Sequence, residues 1–276
     1  MKKKIVCDSS ADLLTMDDVA FASVPLKIMT DQMEYVDDAQ ADVLKMVADL
    51  RLYKGKSSSA CPGVGEWLEA FGDADEVFCL TISSSLSGSF NAARVAKETY
   101  EQEHPGRQVY VLDSLSTSSE MGLLAEKLRE LILEGHDFET IRKEVRAYRR
   151  STHLVFSLES LKNLANNGRV KPAVAKITNI LGIRLVGKAS VEGTLEPTDK
   201  VRGEKRTLET LVKNMLETGY AGGRAIISHC CNAAGAAVLR EVLQKAYPDA
   251  RITVRETRCL CSYYAEQGGI LIGFEA

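Results

Sequence analysis

Two continuous apolar runs, Val77–Ile82 and Val109–Leu112, each stop in small polar residues and then enter a helix-compatible stretch. A strand that is apolar on both faces must be covered on both, which is the condition of a parallel sheet flanked by helices. The first run leaves through Ser83-Ser84-Ser85-Leu86-Ser87-Gly88-Ser89 into a helix marked by Phe90-Asn91-Ala92. The second leaves through Asp113-Ser114 into a helix from about Thr117 to Leu133. Lys4–Cys7, ending in Asp8-Ser9-Ser10, has the same character. Polar residues at the carboxyl ends of successive parallel strands gather at one sheet edge. Asp8, Ser9, Ser87, Asp113 and Ser114 are therefore expected on a common rim.

Phe21–Met29 reads as a further strand and Val43–Leu52 as a helix. Trp67, Leu68 and Phe71 mark a helix begun near Pro62-Gly63, proline being suited to a first turn. The second half changes rhythm. Glu139–Arg150 reads as a charged helix, His153–Leu158 as a strand, Asn166–Val170 as a turn and Ala173–Leu181 as a helix rich in small residues. Arg184–Ala189 and Thr194–Thr198 pair as a hairpin through Ser190–Gly193. Helices over Glu204–Glu217 and Ala233–Ala246 alternate with strands at Ala225–Ser228, Ile252–Glu256 and Ile270–Phe274. The expected fold class is α/β in two domains. Residues 1–152 form an N-terminal domain on a parallel sheet, and residues 153–276 a C-terminal domain on a mixed or largely antiparallel sheet.

A net charge of -3 gives no reason to expect nucleic acid, whose phosphates demand concentrated Lys and Arg. The basic run Arg142–Arg150 is interrupted by Glu144, Val145 and Tyr148 and reads as a solvated helix face. No apolar stretch approaches the ~18 residues of a membrane span, and Asp8 ends the first apolar run too early for a signal peptide. A cytoplasmic location and a monomeric state are the default expectations. Seven cysteines without a paired C-x-x-C set argue for reduced core thiols rather than a disulfide framework. Cys259-Leu260-Cys261 has no histidine at metal-ligand spacing.

The hydroxyl-rich segments Lys56–Ser59 and Thr81–Ser89 carry the chemistry. Free N–H groups at a helix start, together with small hydroxyls, hold an anion. Gly88, lacking a Cβ, allows the backbone close to a ligand or serves an ordinary tight turn. Hydrolysis by Ser87 would need a histidine and an acid beside it. Of His104, His136, His153 and His229, only His229, at the end of a strand, is a candidate base. There is no G-x-S-x-G elbow, no Walker A loop and no dinucleotide-binding glycine fingerprint. Gly268-Gly269 leads into a strand and reads as a tight crossing or a pocket wall.

Taken together, these segments resemble the DegV family of bacterial fatty-acid-binding proteins along nearly the whole chain. Ile5-Val6-Cys7-Asp8-Ser9-Ser10-Ala11-Asp12 is similar to the family's opening strand and D-S-[ST]-[AC]-D turn. Ser57-Ser58-Ser59-Ala60 occupies the place of its T-S-x-P segment, and Ser83–Ala93 resembles S-S-x-L-S-G-[ST]-[YF]-x-[SA]-A. Asp113-Ser114, Gly168-Arg169-Val170 and Val201-Arg202-Gly203 fall where the family has D-S, G-R-[IV] and V-R-G.

The resemblance implies a carrier that is not itself catalytic. It would sequester a long-chain fatty acid in an internal tunnel and present the carboxylate to a separate fatty acid kinase, which makes an acyl phosphate for phospholipid synthesis. By resemblance the carboxylate falls to Ser57 and Ser87, with the N-terminal domain holding the headgroup and the C-terminal domain enclosing the acyl chain. The fatty-acid-binding residues expected are Ser57, Ser58, Ser87, Gly88, Ser89 and Tyr264. Arg202 is expected to dock the kinase, and neither cofactor nor metal is implied. Serine replaces threonine at 57, alanine replaces proline at 60, and Tyr264 stands near the family's histidine. Tyrosine donates a hydrogen bond but adds no positive charge. Two other classes fit the serine cluster: a serine-dependent acyl hydrolase or small-molecule kinase, and a ligand sensor acting on another protein.

Overall fold

The computed structural model describes residues 1–171 and 182–276. In chain order its strands are β1 (Lys3–Asp8), β2 (Ala20–Val24), β3 (Lys27–Met29), β4 (Glu34–Val36), β5 (Ser58–Ala60), β6 (Glu76–Thr81) and β7 (Gln108–Asp113). Then follow β8 (Thr152–Leu158), β9 (Ile183–Ala189), β10 (Leu195–Arg202), β11 (Ala225–His229), β12 (Ile252–Glu256) and β13 (Ile270–Glu275). The helices are α1 (Val43–Leu52), α2 (Val64–Phe71), α3 (Ser89–Glu103), α4 (Ser118–Leu133), α5 (Phe138–Tyr148) and α6 (Lys162–Asn166). They end with α7 (Glu204–Glu217), α8 (Ala233–Ala246) and α9 (Cys259–Ala265). The expected helix Ala173–Leu181 lies outside the described residues.

Strands β2-β1-β6-β7 form an all-parallel sheet in that order, as the doubly apolar runs require. One face is covered by α2 and α3 through Trp67, Phe71 and Tyr100, the other by α4 and α5 through Met121, Leu128 and Ile141. The second sheet, β10-β9-β8-β13-β11-β12, is antiparallel except for the pair β11 and β12. The molecule is thus an α/β protein with one parallel and one mixed sheet. The hairpin through Ser190–Gly193 forms as expected, with its second strand running on to Arg202.

Helix α4 packs between the two sheets. Gly273 in β13 makes the approach possible, since a Cβ there would lie 2.4 Å from the Glu120 nitrogen and 2.5 Å from the Ser119 carbonyl carbon. The Ser119 hydroxyl donates to the Leu271 carbonyl at 2.8 Å and also lies 2.8 Å from Ser228 Oγ.

This packing buries the Glu120 carboxyl, which accepts from the Thr152 hydroxyl at 2.9 Å. Burial pushes Glu120 up to about 7 from an ordinary value of 4.5. The native chain therefore holds this proton while the unfolded chain has released it. Stability contributed by the group is complete below the unfolded value and is lost as pH rises through the folded one. Glu120→Gln is expected to stabilise the protein by about 2–3 kcal/mol at pH 8 and to change little at pH 4. Urea unfolding at the two pH values measures this, and equal effects at both would contradict it.

The expected strand Phe21–Met29 is in fact two. Pro25 has no N–H and pushes Val24 toward extended backbone, so pairing with β1 stops there. β3 then joins a separate antiparallel sheet, β4-β3-β5. Its third strand is Ser58–Ala60, part of the hydroxyl-rich segment.

Candidate functional site

β1 lies between β2 and β6, so the chain departs to opposite sides of β1 and leaves a switch point at its carboxyl end. Open α/β sheets bind ligands at such a point. A cavity of about 300 Å³ lies there, at the lower end of the range for small-molecule sites. Ile82 and Leu86 reach it from the exit of β6; Phe156, Leu158 and Leu271 line it from the second sheet. Leu164 of α6 and Leu260 of α9 add further apolar wall.

One part of the lining is polar: Ser59, Ser87, Thr117, Tyr264 and Arg169. Arg169 is the only charged side chain among the described residues of the lining. Its Nε donates to the Leu86 carbonyl at 3.0 Å, which ties the guanidinium to the serine loop. Ser87 Oγ accepts from the Ser89 N–H at 3.3 Å, so the hydroxyl proton of Ser87 is free to donate. Ser59 Oγ and the Tyr264 hydroxyl lie 2.6 Å apart. Two hydroxyls sharing one bond leave one proton available. Burial raises the Tyr264 pKa above the ordinary phenol value, so Tyr264 stays protonated at neutral pH. The corner therefore offers hydroxyl donors and one cation to an anionic group.

Buried carboxylates hold this corner in place. Asp8 accepts from the Ile82 N–H at 2.9 Å, from Ser89 Oγ at 2.6 Å and from Ser10 Oγ. Asp37 accepts from the Cys259 and Leu260 N–H groups, each at 3.0 Å, and so fixes the start of the helix that carries Tyr264. Asp12 accepts from the Arg258 N–H at 2.7 Å and the Ser118 hydroxyl at 2.5 Å, with burial pushing it up to about 6. Two further serines of the β6 exit clamp the C-terminal hairpin: Ser83 Oγ donates to the Gly193 carbonyl at 2.7 Å and Ser85 Oγ to that of Glu192 at 2.6 Å.

The residues expected from sequence fall into distinct places. Ser87, Gly88 and Tyr264 line the cavity. Ser57 is half-buried, its Oγ 2.8 Å from the hydroxyl of Tyr263, and is not among the lining residues. Ser58 is exposed on β5, and Ser89 is buried against Asp8. Gly88 has an ordinary helical φ of -71, and the space beside it is taken by Cys61, whose Sγ would lie 3.2 Å from a Cβ. Arg202 is exposed at the far end of β10. Asp8 and Asp113 do meet the β6 exit, yet their oxygens are taken up there: Asp8 by the Ile82 N–H and the Ser10 and Ser89 hydroxyls, and Asp113 Oδ1 by the Ser84 N–H at 3.1 Å. Sequence reasoning missed Ser59 and Arg169 as lining residues. Alternation along β5 separates Ser59 from Ser58, but that signal exists only once the segment is known to be a strand.

His229 is buried away from this corner, its Nδ1 accepting from the Asn232 N–H at 3.4 Å, and it is not among the lining residues. A larger recess of about 660 Å³ lies beyond Tyr263. Its charges are of both signs, and Arg184 pairs with Glu159 at 2.5 Å and Glu204 at 3.8 Å. The smaller cavity, apolar with one cation among the described residues, is the better match to an amphiphilic anion. Gly268-Gly269 forms the expected tight crossing, with the Gly268 N–H bonded to the Cys230 carbonyl at 2.9 Å. Five of the seven cysteines are buried free thiols, whereas Cys61 and Cys231 are exposed. No cluster of potential metal ligands occurs among the described residues, and no helix among them is long and apolar enough to cross a membrane.

A family model described as "Uncharacterised protein, DegV family" matches residues 2–276. A DegV domain-containing protein of Streptococcus gordonii is 39% identical over 279 residues, covering 100% of this chain and 99% of its own. A DegV family protein from Eubacterium eligens, solved loaded with heptadecanoic acid, is 43% identical with a TM-score of 0.97 over 99% of each chain. The Fatty Acid Kinase (Fak) B3 protein of Streptococcus pneumoniae, solved loaded with linoleic acid, is 39% identical with a TM-score of 0.98, covering 100% of this chain and 99% of that one.

Proposed function

This chain belongs to the DegV family, and from that premise we propose that it binds a long-chain fatty acid and presents the carboxylate to a separate kinase. The observation that carries the reading is the composition of the cavity: leucine and phenylalanine walls, a hydroxyl corner and, among the described residues, a single cation, Arg169. A fatty acid has the matching form of one anionic head on an apolar tail. Burying the tail contributes ~0.8 kcal/mol per methylene, and the head needs only a few donors. Ser59, Ser87 and Tyr264 supply them, with Ser57 and Tyr263 bracing the wall behind. The fatty acids held by the Eubacterium eligens and Streptococcus pneumoniae proteins support the same ligand class.

No general base is required of a carrier, since phosphoryl transfer belongs to the kinase. The hydrolase alternative needs a base at Ser87, and His229 is engaged elsewhere.

Solvent extraction of the purified protein followed by mass spectrometry tests the ligand. A long-chain fatty acid is expected, close to one per chain after loading; protein that carries none and takes up none would overturn the reading. The kinase half has its own test. Arg202→Ala should lower kinase-dependent acyl-phosphate formation while fatty-acid affinity holds, and normal turnover would remove Arg202 from the interface.

A further inference from the structure

The cavity wall formed by the second sheet contains a row with one side chain missing. In β8, Leu154, Phe156 and Leu158 share a face, as strand alternation requires, and Phe156 and Leu158 line the cavity. Phe156 stands opposite Leu271 of β13 on one side and Gly187 of β9 on the other, with Pro197 of β10 beyond. Gly187 is buried and its φ is not left-handed, so backbone conformation does not demand glycine there. Space does. A Cβ on Gly187 would lie 2.5 Å from Phe156 Cζ and 2.8 Å from Cε2. The phenyl ring thus lies down across the bare glycine, a cross-strand arrangement in which an aromatic covers an unprotected strand position.

This pose fixes the room left for a ligand. Leu26, Ile82, Leu86 and Leu260, which also line the cavity, belong to the core of the first sheet. The cavity is therefore a slot between two packed cores, and such cores yield little. Its width depends on how far the side chains of β8 rise from their sheet. The slot holds about 300 Å³, so a phenyl ring raised into it or removed from it changes the room substantially. The ring already rests on the backbone of β9 and has nowhere lower to go. A chain that needs more width meets an unyielding surface.

We propose that the Phe156–Gly187 pair sets the width of the slot and with it the shape of tail accepted: an unbranched acyl chain passes the ring, and a methyl-branched one is disfavoured. The proposal rests on the fatty-acid reading and deepens it from a ligand class to a ligand shape. Phe156 touches the tail, whereas Gly187 acts through Phe156 and is a positioning residue.

The test is titration of the unsubstituted protein and three variants with heptadecanoic acid and with its iso-branched isomer, beside a thermal melt of each. The unsubstituted protein should bind the straight acid more tightly. Gly187→Ala, which lifts the ring into the slot, should weaken the straight acid about tenfold. Phe156→Leu should raise affinity for the branched acid relative to the straight one about fourfold, the worth of one buried methyl group. The double variant should bind the straight acid within about threefold of Phe156→Leu alone, because the ring that the new methyl would displace is gone. A Gly187→Ala loss that persists in the double variant would overturn the proposal, since it would trace to the Glu196 carbonyl, 2.6 Å from the same Cβ, and to strain in the β9–β10 hairpin. Equal affinity of the unsubstituted protein for the two acids, or an unchanged ratio in Phe156→Leu, would overturn it as well. The ratio in Phe156→Leu decides the matter if Gly187→Ala does not fold. Uptake of neither acid by the unsubstituted protein would sink the fatty-acid reading itself; uptake without the coupling between positions 156 and 187 sinks only the slot.

Discussion

Leu158→Trp is expected to lower long-chain fatty-acid affinity by about a hundredfold or more while leaving the melting temperature within a few degrees. Leu158 is buried and lines the apolar part of the cavity. Enlarging a side chain in a packed core forces strain, but here the added indole has a void of about 300 Å³ to enter. The fold is therefore spared and the tail is not. Displacing about four methylenes forfeits about 3 kcal/mol, which is the expected loss of affinity. Isothermal titration with a long-chain fatty acid, beside a thermal melt, reads both quantities. Unchanged affinity in a folded variant would mean that the tail lies elsewhere.

The second large effect belongs to the head. Ser59→Ala combined with Ser87→Ala should weaken binding about a hundredfold, because each hydroxyl donates to a charged group in a partly dry corner. Tyr264→Phe should act in the same direction and overlap with Ser59→Ala, since the two hydroxyls are joined at 2.6 Å and work as one donor. Ser57→Ala should have the smaller effect, for its hydroxyl is bonded to Tyr263. If Ser57→Ala instead proves the more damaging single change, the carboxylate sits nearer Tyr263. Fatty-acid titrations on the four variants rank these outcomes.

Much of this architecture was legible in the residues. The doubly apolar runs at Val77–Ile82 and Val109–Leu112 announced a covered parallel sheet, and the small polar residues after them announced the edge at which the cavity lies. The change of rhythm after Ser151 announced the mixed sheet. What escaped was set by long-range pairing. Nothing local in Lys56–Ala60 shows that it pairs with Lys27–Met29, and without that pairing Ser59 cannot be told from Ser57. Likewise, the serines after β6 look equivalent in sequence yet divide their work. Ser83 and Ser85 hold the Ser190–Gly193 hairpin, Ser89 neutralises the demand of Asp8, and Ser87 is left facing the cavity. Arg169 enters the lining only because its guanidinium folds back onto Leu86, a contact across 83 residues of chain.

A structure of the protein bound to one long-chain fatty acid tests the central claim most directly. The expected result is a carboxylate within hydrogen-bond reach of Ser59 and Ser87 and on the side of Arg169, with its tail passing Leu158, Phe156 and Leu271. A carboxylate bound instead among the ion pairs around Arg184, or an acyl chain lying outside the leucine-walled cavity, would contradict it.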